Sequence, residues 1–284
     1  MKIVVSPNPY RDKQFKHARQ ACQILKEAGA EVSLCLPFDV DRSFEIPSDL
    51  RFREIQKEIR TADMLICFGG DGTILHLARF ARTHNIPILG VNTGSLGYMA
   101  ELEPGEVKLL RQVVEGKYRL EPHMMLDFRV IRNGRVIHED TALNETTIRT
   151  SAVGKEIHFV IYADGVELFA CSGDGVIIGT PTGSTAYNVS AGGPIVEPTA
   201  ENILVTPICA HDLRVRPCVL SKDRVVTVEL GHIGKKGVFL SPDGGSFRLS
   251  DHDKIELRSS KSRINLVRVT NRSFYEILHQ KLGT

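Results

Sequence analysis

What this chain lacks narrows it first. Its 36 basic and 34 acidic residues nearly cancel, with no arginine- or lysine-rich block, so the electrostatic footprint of a nucleic-acid or anionic-membrane partner is missing. The six cysteines (Cys22, Cys35, Cys67, Cys171, Cys209 and Cys218) contain no C-x-x-C pair. Scattered through apolar runs, they read as small buried hydrophobes in a reducing compartment, which excludes a disulfide framework or a zinc site. No apolar run is long enough to span a bilayer. A strand signal begins at once with Met1-Lys2-Ile3-Val4-Val5, so no signal peptide is expected. A cytoplasmic protein with no nucleic-acid and no membrane partner is the expectation.

What is present is enough for two cores: 284 residues, 42% of them hydrophobic. The first stretch alternates strand and helix signals. After Ile3-Val4-Val5, the residues Phe15, Ala18, Cys22, Leu25 and Ala28 recur at helical spacing, and Gly29 ends that helix. Glu31 to Leu36 reads as a strand, Phe52, Ile55 and Ile59 as a helix, then Met64 to Phe68 and Ile86 to Val91 as strands. Such alternation predicts an α/β domain with a parallel sheet, whose ligands lie at the carboxyl ends of the strands. Pro37 to Pro47 reads as a surface loop and a candidate flap. Near Glu115 to Pro122 the pattern changes to short strands, with Asn133-Gly134 and Asp164-Gly165 as hairpin turns. The expected division is an α/β domain over 1–120, with 261–284 packing back on it as a helix, and an all-β, sandwich-like domain over 121–260.

One segment carries the strongest chemical signal: Cys67-Phe68-Gly69-Gly70-Asp71-Gly72-Thr73, between the apolar Met64-Leu65-Ile66 and the helical pattern Ile74 to Arg82. Glycines let phosphate approach backbone N–H groups, and a helix start adds positive potential. Neither a Walker loop nor G-x-G-x-x-G fits these residues. Asp71 repels phosphate, so it suggests a base for a hydroxyl or a ligand for a cation; the plainer alternative is an N-cap. Asn92-Thr93-Gly94-Ser95-Leu96-Gly97-Tyr98 should hang over the same sheet edge, as a ligand loop or a plain turn. Asn144-Glu145 offers donors and acceptors for a ribose diol, or is an ordinary exposed polar pair. Residues 172–194 are richer. Asp174 stands between Gly173 and Gly175, and Thr180-Pro181-Thr182-Gly183-Ser184-Thr185-Ala186-Tyr187 leads to Ser190-Ala191-Gly192-Gly193-Pro194. That density of hydroxyls exceeds capping needs and suits a nucleotide's base and sugar. Asp243-Gly244-Gly245 reads first as a hairpin turn. His76 is either packed or functional, and Lys155 either solvated or a phosphate contact.

Taken together, Gly69-Gly70-Asp71-Gly72-Thr73, Asn144-Glu145, the Thr180–Tyr187 run and Ser190-Ala191-Gly192-Gly193-Pro194 closely resemble the NAD kinase family. The order and spacing match over nearly the whole chain. The glycine-aspartate element is shared with diacylglycerol and sphingosine kinases; the Thr-Pro-Thr-Gly-Ser-Thr-Ala-Tyr run separates them. The resemblance implies transfer of a phosphoryl group from ATP to the 2′-hydroxyl of the adenosine ribose of NAD, giving NADP. It implies a divalent cation, Mg²⁺ above all, delivered with ATP. By the same resemblance Asp71 is the proton acceptor, Gly72 shares its contact, and Gly69, Gly70 and Thr73 shape the phosphate loop. Asn144 and Glu145 hold sugar hydroxyls, and Asp174, Thr185, Ala186, Tyr187 and Ser190 line base and ribose pockets. His76 and Lys155 fall where members place a basic contact. Members often carry a polar side chain where this chain has Gly245, and they form homodimers or homotetramers.

The chemistry agrees with that implication. A ribose hydroxyl is a poor nucleophile, and a positioned general base contributes roughly 10²–10⁴-fold; alignment with the γ-phosphate and charge neutralisation supply most of the rest. Two alternatives remain at this point: a lipid kinase of the same loop family, which needs an acyl pocket, and a non-catalytic sensor of NAD or NADP.

Overall fold

The computed structural model describes every residue except Arg42, Ser95, Leu96, Val153, Lys235 and Thr284. The chain forms two compact units, Met1–Pro122 with Arg263–Thr284, and His123–Ser262.

In the first unit, strands run in the order Glu31–Leu34, Lys2–Pro7, Met64–Gly69 and Ile88–Asn92, all parallel. Leu266 adds a parallel pairing beside Ile88. Met64–Gly69 is buried along its whole length, as its unbroken apolar run requires of a central parallel strand. The helix Lys16–Glu27 buries Ala18, Cys22 and Leu25, three of the periodic positions read from the sequence, together with Ala21. The helix Asp71–His84 buries Thr73, Ile74, Leu77, Ala78 and Ala81. The helix expected around Phe52 to Ile59 shrinks to one turn, Ile55–Glu58, continued by a 3₁₀ turn, Ile59–Thr61. It has no room to grow, because Arg53 is still bridged to Cys35 and Ala62 is already extended. Phe38 and Phe44 of the loop 37–47 pack on Tyr10, and Phe44 also on Phe15, so aromatic contacts tie this segment down. The last helix, Phe274–Leu282, starts with a capping box of Ser273 and Glu276 and buries Ile277, whereas Leu282 faces solvent.

The second unit is β-rich, interrupted by a 3₁₀ stretch, Thr182–Thr185, and a one-turn helix, Tyr187–Ser190. One sheet orders Cys218–Ser221, Asn202–Ile208, Gly175–Gly179, Glu145–Thr150, Val238–Pro242 and Phe247–Arg248. Facing side chains come from Ile157–Ala163, Val226–Leu230 and the first half of Lys254–Arg268, which pair antiparallel. Ile148, Val176, Ile178, Val205 and Leu240 of the first set meet Phe159, Ile161, Val228, Ile255 and Leu257 of the second. The turns at Asn133-Gly134 and Asp164-Gly165 have positive φ at both residues, the conformation that two-residue hairpins select. All six cysteines are free; Cys22, Cys35, Cys67 and Cys171 are buried, Cys218 half-buried and Cys209 exposed.

Candidate active site

In the first unit the strand Met64–Gly69 ends and the helix Asp71–His84 begins one residue later, with extended Gly70 as N-cap. Asp71 is therefore the first helical residue, where a negative charge suits the helix dipole. Its carboxylate does not cap its own helix. Oδ2 accepts from the Tyr98 N–H at 2.8 Å and Oδ1 from the Met99 N–H at 3.0 Å. The loop after Ile88–Asn92 makes this possible: Asn92 accepts from the Gly94 N–H at 3.1 Å, and a Cβ at Gly97 would collide with Asp71 Oδ1. Ser95 and Leu96 of this loop lie outside the described residues. Thr73 is buried and accepts from Asn8 Nδ2 at 2.9 Å. Asp71, Gly70, Gly72 and Thr73 line a cavity of about 450 Å³ with Asn8, Arg11, Phe38 and Lys281. Sequence reading missed Arg11 and Lys281, which come from segments with no chemical motif of their own; it placed the loop ending at Tyr98 over this edge but not its amides on Asp71.

His76 lines a different cavity, with Phe38, Phe52 and Phe80. Its ring packs edge-on against Phe38 and Phe80. Burial, reinforced by Arg79, holds its pKa below the usual histidine value.

The second unit concentrates polar atoms at the start of the strand Glu145–Thr150. Asp243, at φ 45° in its turn, accepts from the N–H groups of Leu143 at 2.7 Å, Asn144 at 2.9 Å and Glu145 at 3.1 Å. What the sequence offered mainly as a hairpin turn is thus the brace of the Asn144-Glu145 pair. Side-chain atoms of three consecutive residues, Asn144 Oδ1, Glu145 Oε2 and Thr146 Oγ1, are buried without a hydrogen-bond partner. Buried orphans are rare and call for an explanation; a ligand that supplies donors is one. Burial, then the neighbouring Asp243 carboxylate, pushes the Glu145 carboxyl up to about 7.

The hydroxyl-rich run divides into two sets. Thr180, Thr182 and Ser184 are buried and bonded inward: Thr180 Oγ1 donates to the Leu143 carbonyl at 2.6 Å, Thr182 Oγ1 meets His123 Nδ1 at 2.8 Å, and Ser184 Oγ donates to the Val196 carbonyl at 3.0 Å. Asn188 joins them, accepting from Thr206 Oγ1 at 2.6 Å. A Cβ at Gly183 would collide with the Asn144 carbonyl. This bracing is the use for the surplus of hydroxyls that capping left unexplained. Thr185, Ala186 and Tyr187 are half-buried and Ser190 exposed, which leaves them as the loop's outward set. Asp174 is exposed, its backbone fixed by bonds to Ile208 and Thr150. Lys155 is exposed on the turn before Ile157–Ala163.

Known proteins match both units. The ATP-NAD kinase N-terminal domain family matches residues 2–118 and the ATP-NAD kinase C-terminal domain family residues 143–269. The NAD kinase of Acetivibrio thermocellus is 33% identical over 287 residues, covering 99% of this chain and 97% of its own. That of Ruminiclostridium cellulolyticum is 34% identical over 285 residues, with 99% and 97% covered. Among solved structures, yeast NADH kinase complexed with NADH is similar with a TM-score of 0.85 and 26% identity, covering 100% of this chain and 87% of that one. An NAD kinase from Archaeoglobus fulgidus in complex with ATP is similar with a TM-score of 0.74 and 27% identity, covering 100% and 99%.

Proposed function

The chain belongs to the ATP-NAD kinase family, and from that membership we propose how its residues divide the work of phosphorylating NAD. The enzyme transfers the γ-phosphoryl group of ATP to the 2′-hydroxyl of the adenosine ribose of NAD, forming NADP. The observation that carries this reading is the adjacent pair of orphaned acceptors, Asn144 Oδ1 and Glu145 Oε2: a ribose presents hydroxyl donors, and a purely apolar ligand would leave these atoms unpaired at a cost. That argues against a lipid acceptor.

Asn144 and Glu145 take sugar hydroxyls, while Asp174, Thr185, Ala186, Tyr187 and Ser190 contact base and ribose. Asp71 accepts the proton of the 2′-hydroxyl. Its two amide partners fix the carboxylate while each oxygen retains a lone pair. Gly69, Gly70, Gly72 and Thr73 shape the turn that lets phosphate approach the backbone. His76, packed between Phe38 and Phe80, contributes by holding the helix Asp71–His84 in place, and Lys155 by attracting anions. A divalent cation, with Mg²⁺ the natural choice, arrives on the ATP phosphates and neutralises their charge. Among the described residues Asp71 is the single acid lining the 450 Å³ cavity, which suits a cation held mainly by substrate. Residues 1–120 with 261–284 handle phosphoryl transfer and 121–260 the dinucleotide, in a cytoplasmic homodimer or homotetramer.

The test is a coupled assay: purified protein, NAD and Mg-ATP, with an NADP-specific dehydrogenase as reporter. NADP is the expected product. Tight NAD binding with no NADP formed would make the chain a sensor, and a phosphorylated lipid in place of NADP would make it a lipid kinase.

A further inference from the structure

Arg11 and Lys281 stand far apart in sequence yet line the same cavity as Asp71. We propose that they form a two-cation clamp for the terminal phosphates of the phosphoryl donor, a reading that rests on the kinase function above.

The turn that carries Arg11 is held at both ends. Asn8 donates its N–H to the Phe68 carbonyl at 2.7 Å, its carbonyl accepts from the N–H of Arg11 at 3.1 Å and of Asp12 at 2.9 Å, and its side chain reaches Thr73. Asp12, fully buried, accepts from the N–H groups of His17 and Ala18 at 3.0 and 2.9 Å. Between them the chain passes through Gln14 and Phe15 at φ 54° and 56°, a left-handed pair of non-glycine residues that persists where surrounding structure enforces it. Arg11 itself is exposed and, among the described residues, its guanidinium has no ion-pair partner. The backbone is fixed and the charge is left free.

Lys281 comes from the other end of the chain, in the last turn of the helix Phe274–Leu282. Its ammonium rests 4.0 Å from the centroid of the Tyr98 ring, a weak contact at an exposed site. Tyr98 is also the residue whose N–H holds Asp71. The cavity therefore sets two exposed positive charges against one anchored negative charge, between walls that include Gly70, Gly72, Gly94 and Gly97. That balance favours a flexible polyanion over a neutral or cationic ligand, and a forked guanidinium beside an ammonium suits successive phosphates of a chain. The shared chemistry is a linear polyphosphate, as in a nucleoside triphosphate or inorganic polyphosphate.

The experiment measures NADP formation by the full chain against concentration of each donor. Lys281→Met and Arg11→Met should each raise the KM for Mg-ATP roughly tenfold, as expected for loss of a charge-assisted hydrogen bond, with the KM for NAD unchanged. Lys281→Arg should restore most of the loss. Inorganic tripolyphosphate should compete with ATP in the unaltered enzyme and weaken by the same factor in Lys281→Met. If inorganic polyphosphate also serves as donor, its KM should rise in parallel; a rise for ATP alone would mean contacts to adenosine and overturn the clamp. Unchanged KM for ATP in both methionine variants overturns it while leaving the kinase intact, whereas an unaltered enzyme making no NADP overturns the kinase reading itself. Should a methionine variant fail to fold, the wild-type competition still decides: inhibition by tripolyphosphate that is not competitive with ATP refutes the clamp.

Discussion

Asp71 and Glu145 are both carboxyl side chains at the end of a buried strand, one in each unit, and their surroundings are opposite. Asp71 receives two backbone N–H groups from Tyr98 and Met99. Glu145 has an orphaned Oε2, because the three amides nearby have all been taken by Asp243. The same carboxylate that braces the Glu145 backbone repels its side-chain charge, and its carboxyl is held up to about 7. On the roles proposed above, the group that acts as an anion is supplied with donors before any ligand arrives, and the group that binds hydroxyls is kept short of them until the ligand completes it. Environment sets the roles of like side chains.

The contrast is broken most severely at Asp71. Asp71→Asn removes the base and turns an amide NH₂ toward one of the two backbone donors. We expect kcat to fall by about 10²–10⁴-fold, while calorimetric affinity for NAD stays near wild type because asparagine keeps an acceptor for the 2′-hydroxyl and most of the dinucleotide contacts proposed above lie in the other unit. Near-normal turnover by this variant would remove Asp71 from the chemistry. Gly183→Ala comes next. The added methyl must displace the Asn144 carbonyl, so a stability loss of about 1–3 kcal/mol is expected, together with weaker NAD binding through the displaced Asn144-Glu145 pair. A variant with unchanged denaturation midpoint would show that the loop yields without cost.

Much of this was legible in the chain, and the gaps have physical causes. Buried parallel strands betray themselves by unbroken apolar runs, as Met64 to Phe68 does, and hairpins by Asn133-Gly134. The glycine-flanked Asp71 also stands out, since a carboxylate is unusual beside a phosphate loop, whereas Asn144-Glu145 looks like any polar pair and gains weight only from the family resemblance. Arg11 and Lys281 do not stand out, because an isolated cation has no pattern and tertiary folding alone brings them to Asp71; the loop ending at Tyr98 is expected at this edge, but a backbone N–H gives no sign of the carboxylate it will hold. The hydroxyls of Thr180, Thr182 and Ser184 misled in the other direction. Composition cannot separate a hydroxyl bonded inward from one offered outward, and these three are struts.

The subtlest way to sharpen the contrast is Glu145→Gln, which removes the charge and keeps the shape. In the native protein the Glu145 carboxyl holds its proton up to about pH 7, against an ordinary value of 4.5. Between those values the unfolded chain has released a proton that the folded chain retains, so raising the pH through this window destabilises the wild type, and the loss is complete above 7. Glutamine has no such proton. Glu145→Gln should therefore melt close to wild type at pH 4.5 and above it at pH 8, by about 1 kcal/mol once solvent access to this half-buried group is allowed for. Binding should move the opposite way. Ionised Glu145 accepts from ribose hydroxyls better than its neutral form, so the wild-type KM for NAD should fall as pH rises from about 6 to 8 across this titration, and the glutamine variant should show a higher, flat profile. A variant more stable at pH 8 yet poorer for NAD identifies a carboxylate retained for its ligand at the expense of the fold; equal melting curves at both pH values would mean that Glu145 is already comfortable without one.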